Sequence, residues 1–326
     1  MICIARTETD PFFNIAAEEY VLRHFTDECF MLWQNSPAVI VGKHQNTLAE
    51  INLDFVNRNN IAVVRRISGG GAVYHDLGNV NFTFIARGNQ DKLVDFRKFT
   101  QPIIEVLADF NVDARFEGRN NLTVDGKKIS GNAEHVFKNK VIHHGTLLFN
   151  TDLQKLSQAL YVEEAKWNGR AVKSVRSCVA NISDYLTQPI SVHDFIGRII
   201  GHVLEKYPHA NLYSFLDYDR ENIKMLAAQK YSTWDWNFGY SPPYRFQNIV
   251  KVSNRTIEVS FGVENGRIAF IEISGDLFNS TEKVNIENAL IGSRHYPGDL
   301  HQSLEYVWFE LQVQGITINR FVSAMF

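Results

Sequence analysis

Residues 65–76 read Arg-Arg-Ile-Ser-Gly-Gly-Gly-Ala-Val-Tyr-His-Asp, a triple glycine framed by charge. Three consecutive glycines let a backbone approach a ligand closely and reach φ values that a β-carbon forbids. Arg65 and Arg66 add permanent positive charge beside that opening, so an anion is the natural guest. The plainer alternative is a glycine-rich hairpin connection with two solvated arginines. Ahead of the loop stands the apolar run Ile61–Val64; behind it, Val80, Phe82 and Phe84 alternate with smaller or polar residues as in a half-buried strand. The loop therefore joins strand to strand. That context excludes a dinucleotide fingerprint and a Walker loop, both of which need a helix N-terminus directly after the glycines.

A second segment, residues 118–133, contains Asp125-Gly126, a two-residue signal for a tight hairpin. On the returning strand Lys127 and Lys128 must point to opposite faces, so one can be solvated while the other reaches inward toward a site; Lys128 shares that strand with Ser130. Residues 141–150 form a third apolar strand that opens with His143 and His144. These histidines read as a strand-end pair, one ring buried and one wet; no zinc ligand spacing accompanies them.

Residues 166–178 carry Lys166, Arg170, Lys173 and Arg176, and no acidic residue stands between Ala165 and Ser183. In a chain of net charge -3 this is a local positive island. It is either a solvated basic loop or a flap that closes over phosphates.

Together these segments closely resemble the lipoate–protein ligases. The likeness rests on residues 65–76, on Gly126-Lys-Lys-Ile-Ser-Gly-Asn-Ala133, on His143-His-Gly-Thr-Leu-Leu148 and on Ser174-Val-Arg-Ser177, which follow the family's order. Asp10-Pro-Phe-Phe-Asn-Ile-Ala-Ala-Glu-Glu19 is similar to the family's N-terminal helix start, and Trp234–Gly239 to the segment that ends its catalytic domain. The resemblance implies a two-step enzyme. Lipoate's carboxylate attacks the α-phosphate of ATP, pyrophosphate leaves, and the lipoyl adenylate acylates a lysine on a carrier domain, an E2 subunit of a 2-oxoacid dehydrogenase or the glycine cleavage H protein.

It also implies site roles. Lys128 would bridge the lipoyl carboxylate and the α-phosphate while staying charged, because negative charge accumulates where the two anions meet. Arg66, Gly71, Ala72, Val73, Tyr74, Lys173 and Arg176 would face the nucleotide, and Ser68, Gly69, Gly70 and His144 the lipoate. Mg2+ would neutralise the triphosphate. Asp76 is a metal candidate, or else the cap of a turn. Asn121 stands where many family members carry Asp, which removes a local carboxylate. His75 and His144 are possible bases for aminolysis, and neither is assigned. Cys178, inside the basic island, keeps open an ATP-independent acyltransferase working through a cysteine thioester. A non-catalytic carrier-binding module is a further alternative, opposed by the intact Lys128, Arg66 and glycines. Biotin enzymes use a differently spaced Gly-Arg-Gly loop that this chain lacks.

The 326 residues, 45% hydrophobic and 21% charged, suffice for two domains with proper cores. The expected fold class is α+β, a mixed α/β catalytic domain of the biotin/lipoate ligase type over 1–240, with helices at 13–25 and 96–110. A small α+β accessory domain covers 241–326. There, 256–263 and 268–273 flank an Asn265-Gly266 turn, and helical stretches span about 281–291 and 299–313. No stretch has the form of a secretion signal, and no apolar run approaches the roughly 20 residues of a membrane span, so a soluble cytoplasmic enzyme without nucleic-acid or membrane partners is expected. Cys3, Cys29 and Cys178 are too few and too scattered for a disulfide framework.

Overall fold

The computed structural model describes residues 1–88, 94–311 and 315–326. In chain order its elements are β1 (Ile2–Ala5), α1 (Pro11–His24), β2 (Cys29–Trp33), β3 (Ala38–Val41), α2 (Leu53–Arg58), β4 (Ala62–Arg65), β5 (Val73–His75) and β6 (Asn79–Arg87). They continue with α3 (Phe96–Asp109), β7 (Arg115–Glu117), β8 (Asn121–Val124), β9 (Lys127–Phe137), β10 (Lys140–Leu148), α4 (Leu153–Ala159), β11 (Trp167–Gly169), α5 (Val192–Lys206), β12 (Asn211–Leu212) and α6 (Asp217–Leu226). Last come β13 (Tyr244–Val252), β14 (Arg255–Glu264), β15 (Arg267–Gly275), α7 (Ser280–Leu290), α8 (Pro297–Glu310) and α9 (Ile318–Ser323). One compact unit comprises Met1–Lys43, Asp54–Leu160 and Ser174–Thr233; the other comprises His44–Leu53, Tyr161–Lys173 and Trp234–Phe326.

The first unit is built on an eight-stranded sheet in the order β12-β1-β2-β6-β10-β9-β8-β7. It is mixed, since β1 runs parallel to both β2 and β12 while β6, β9 and β10 pair antiparallel. One face carries Phe30, Phe82, Phe84 and Ile129 against Phe99 and Ile103 of α3 and Phe195 and Ile199 of α5. The i, i+4 spacing in each helix puts those apolar side chains on one stripe. Asp95 and Ser191 accept backbone N–H groups at the two helix starts.

A separate three-stranded sheet has the order β4-β3-β5, with β4 parallel and β5 antiparallel to β3. The glycine loop therefore joins strand to strand, but it crosses over β3, so the hairpin alternative does not describe it. Asp125 and Gly126, at φ 49° and 73°, close the β8–β9 hairpin as their sequence demands. A bulge there leaves Ile129 without an opposite residue, since Leu122 pairs with Ser130 and Thr123 with Lys128.

The expectation for His143 and His144 fails. Neither ring is wet: their residue exposures are 0% and 8%. β10 lies in the sheet interior between β6 and β9, and the histidines sit mid-strand rather than at its end.

In the second unit β11-β13-β14-β15 form an antiparallel sheet, and Asn265 and Gly266 turn the β14–β15 hairpin with φ 50° and 72°. α7 and α8 match the expected helical stretches, although residues 312 and 313 of the latter lie outside the described residues. β13 and α9 are not anticipated by the sequence pattern, because Asn248 at an inward position and Ile249 at an outward one interrupt the apolar alternation of β13. Among the described residues no helix is long and apolar enough to cross a membrane.

His295 fastens the end of this unit. Its Nε2 donates to the Met325 carbonyl (2.7 Å), its Nδ1 accepts from the Tyr244 hydroxyl (2.6 Å), and the Phe326 ring stacks on it at 4.5 Å. Burial pushes its pKa down to about 4 from the ordinary 6.5. The unfolded chain binds this proton first, so the contribution of His295 is present above pH 6.5 and is lost as pH falls towards the folded value. Urea melts should show wild type losing ~3 kcal/mol relative to His295→Gln over that window; parallel pH profiles would contradict this.

Candidate active site

Arg66 organises the glycine loop from inside. Its Nε donates to Ser68 Oγ (2.9 Å), Nη1 to the Ile40 carbonyl (3.0 Å), and Nη2 to the carbonyls of Gly69 (2.6 Å) and Gly71 (2.8 Å). Burial lowers its pKa to about 10, opposed by the nearby Glu18 carboxylate, and it stays charged at neutral pH. Arg65 is also buried, donating from Nη1 to the carbonyls of Gly42 and Lys43. Both guanidiniums thus bind backbone oxygens rather than standing open to solvent. Gly70 needs its missing side chain: its φ is 91°, in the left-handed region.

Below the loop runs a buried hydrogen-bonded chain. Ser68 Oγ lies 2.6 Å from His144 Nε2, and His144 Nδ1 lies 2.9 and 3.0 Å from the two oxygens of Glu18. Thr83 donates to Glu18 Oε1 (2.6 Å) and in turn accepts from the Trp33 indole (3.1 Å). The carboxylate accepts, so Nδ1 carries a proton, while Ser68, which accepts from Arg66, makes its second contact with Nε2. Burial alone would raise the Glu18 pKa, but His144, Thr83 and Arg6 together hold it below its ordinary value.

Lys128 faces this region from β9. Burial, then the neighbouring Arg66 charge, lower its pKa. Among the described residues no carboxylate comes within ion-pair reach of its ammonium. Its Cε and Nζ lie over Gly131, 2.9 Å from where a β-carbon there would stand. Its backbone is pinned to the end of the basic island and the residues just after it: Lys128 N–H donates to Cys178 O (2.8 Å) and Ala180 N–H to Lys128 O (3.1 Å). A desolvated cation beside a glycine loop is an electrostatic seat for anions.

Two regions of the chain match family models, described as the lipoyl protein ligase A/B catalytic domain (residues 10–204) and the bacterial lipoate protein ligase C-terminus (residues 241–325). Lipoate–protein ligase 1 of Staphylococcus aureus is 43% identical over 289 residues, 88% of each chain. The chain belongs to the lipoate–protein ligase family. Among solved structures, lipoate-protein ligase A bound with ATP is similar with a TM-score of 0.62 and 26% identity, covering 74% of this chain and 100% of that one. A bipartite lipoate protein ligase studied with its E2 lipoyl domain, from Thermoplasma acidophilum, has a TM-score of 0.63 and 27% identity, covering 73% and 96%.

For a member of this ligase family, several expected residues have clear positions. Ser68, Gly69, Gly70, His144 and Lys128 belong to one neighbourhood with Arg66. The Ala72 N–H donates to Ser174 Oγ (2.9 Å), so this donor is engaged. Val73 and Tyr74 lie on β5, an edge strand; the Tyr74 ring is buried, which raises its pKa to about 12. Asp76 caps a turn: Oδ1 accepts from Gly78 N–H and Oδ2 from Asp152 N–H, each at 2.9 Å. We assign it to that turn rather than to a metal. Among the described residues no three His, Cys, Asp or Glu side chains converge on a metal position. Arg176 and Cys178 are exposed in the first unit, and Lys173 is exposed in the second.

His75 is a poor base. Its Nδ1 accepts from Asn35 Nδ2 (3.1 Å), because Asn35 Oδ1 already accepts from Asn14, so the proton sits on Nε2. Burial, then Arg66 and His144, push its pKa down to about 3. His144 is likewise engaged at both nitrogens. Motif reading missed Glu18; the signal was a carboxylate embedded in the nearly all-buried, apolar helix α1.

The Glu18 shift is downward, so the stabilisation it gives is present above pH 4.5 and lost as pH falls through its lower folded value. Glu18→Ala should lower the unfolding free energy by about 3 kcal/mol at neutral pH, because it leaves buried His144 without its acceptor and the buried Arg6 charge without the carboxylate that offsets it. In urea titrations that deficit should shrink below pH 4.5; a constant deficit would refute the assignment.

Proposed function

We propose that this chain is an ATP-dependent lipoate–protein ligase in which Lys128 holds together the two anions that react. The observation that carries this reading is an ammonium drawn out of water, without a carboxylate partner among the described residues, beside a loop shaped by Arg66. Family membership and the ATP-bound relative support it. One lipoate carboxylate oxygen attacks the α-phosphorus, the bond to the β-phosphate oxygen breaks, and pyrophosphate departs. Lys128 offsets the negative charge gathered at that point, and its fixed position lowers the entropic cost of bringing two anions together.

In the second step the ε-amine of a carrier lysine attacks the acyl carbon of the adenylate and AMP leaves. A mixed anhydride is reactive enough for the amine's proton to pass to water, in keeping with the occupied nitrogens of His75 and His144. The carrier is an E2 lipoyl domain or the glycine cleavage H protein; the E2 reading is supported by the archaeal relative. Mg2+ arrives on the triphosphate, as it does where a site offers few carboxylates, and no protein ligand is assigned to it. We assign nucleotide contacts to Gly71, Val73, Tyr74 and Arg176, and the acyl chain to Ser68, Gly69, Gly70 and His144. The catalytic domain is assigned to 1–240 and the accessory domain to 241–326, in line with the two matched regions. The use of ATP agrees with a cytoplasmic enzyme.

Lipoate-dependent exchange of labelled pyrophosphate into ATP tests this reading. Lys128→Ala should lower exchange by about 10³-fold, the scale of losing a main transition-state charge partner, while Cys178→Ser keeps it within twofold or so of wild type. Absence of exchange in wild type, with ATP-independent acyl transfer that Cys178→Ser abolishes, would favour the thioester transferase.

A further inference from the structure

Beneath the Lys128 strand, on the core face of the sheet, lies a second acid–imidazole pair. Glu134 and His143 stand directly opposite each other on β9 and β10, with His143 Nδ1 2.8 Å from Glu134 Oε1 and side-chain exposures of 0% and 2%. The rings of Phe82, Phe96 and Phe99 surround the imidazole at 5.7, 5.6 and 5.2 Å. Its Nε2 lies 3.2 Å from Asn132 Oδ1.

The orientation of the Asn132 amide follows from its other partners. Its Nδ2 lies 3.0 Å from the Asn120 carbonyl, which can only accept, and 3.2 Å from Ser130 Oγ. Oδ1 therefore faces His143, and His143 must carry a proton on Nε2. The short Nδ1···Oε1 contact then requires one more proton, on Glu134 or on the ring. Without it, a neutral His143 sets a lone pair against either the carboxylate or Asn132 Oδ1, and a flipped Asn132 sets its oxygen against that of Asn120. No arrangement of the deprotonated pair satisfies every contact.

Asn132 is held closely. Asn132 N–H donates to Asn120 O (3.0 Å) and Asn120 Nδ2 donates back to Asn132 O. Across the strand, a β-carbon on Gly145 would stand only 2.1 Å from Asn132 Oδ1. Asn132 follows Gly131, the residue over which the Lys128 ammonium lies.

We propose that Glu134 and His143 are positioning residues that share one buried proton, and that this proton fixes Asn132 and, through it, the backbone under Lys128, so that its loss slows adenylate formation. The proposal rests on the ligase reading for its kinetic consequence. Burial raises Glu134 to about 7, with the Asp95 charge adding and the Asp95 backbone N–H opposing; burial, then His144, hold His143 well below its ordinary value. Among the described residues Asp95, at the start of α3, and His144, on β10, are the titratable groups acting on the pair. The proton therefore resides on Glu134 and is lost as pH rises through neutrality.

Pyrophosphate exchange at saturating lipoate and ATP, followed against pH for wild type and Glu134→Gln, reads this device. The glutamine N–H donates to His143 Nδ1 at every pH. The wild-type kcat should fall relative to the variant by at least about fivefold between pH ~6 and ~8.5, with KM changing less. Parallel profiles would overturn the proposal. A second readout needs no substrate: in wild-type full-length protein labelled with 15N-histidine, His143 should hold its proton on Nε2 at pH ~6, with the Nδ1 resonance moving near neutrality. A proton held on Nδ1 of a neutral ring throughout would also overturn it. Absence of exchange at every pH would sink the ligase reading, and the imidazole resonances would then decide the proposal alone.

Discussion

Everything at the site hangs on how the Arg66 guanidinium is held. Four of its N–H groups go to Ser68, Ile40, Gly69 and Gly71, and a cation so used must be buried with an anion near enough to compensate. Glu18 supplies that charge at one remove, through His144 and Ser68. Removing any link leaves a polar group in the interior without its partner, a cost that outweighs the modest net value of each hydrogen bond. The loop is rigid because its carbonyls are tied inward.

The same logic separates Lys128 from the arginines. Arg65 and Arg66 donate to backbone carbonyl oxygens, whereas the half-buried ammonium of Lys128 meets no carboxylate among the described residues. A positive charge in that condition gains from a bound anion what it has lost from water. Two buried imidazoles, on opposite faces of one strand, then serve different ends: His144 supports the loop, and His143 supports the strand that carries the lysine. Adjacent residues of β10 can do both because side chains alternate across the sheet.

Local chemistry was readable from the chain. Asp125-Gly126 and Asn265-Gly266 turned where their φ preferences require, and strand alternation set Lys127 and Lys128 on opposite faces. What was not readable depends on long-range order. Whether His143 is wet or buried follows from β10 lying between β6 and β9, a property of sheet order that no local window contains. Glu18 meets His144 across 126 residues, and Asp76 is explained only by the backbone of Asp152, 76 residues on. Arg66 looked like an open cation in the motif because its acceptors are backbone carbonyls, which sequence does not distinguish.

The most direct test of the central claim, that a carboxylate is activated at the α-phosphate, follows an oxygen atom. With lipoate labelled by 18O in both carboxylate positions, ATP and an apo E2 lipoyl domain, the AMP released on transfer can be examined by mass spectrometry. An acyl adenylate passes one labelled oxygen to AMP when the lysine displaces it. AMP carrying one 18O is the result expected here; unlabelled AMP, or lipoylation that proceeds without ATP, would contradict it.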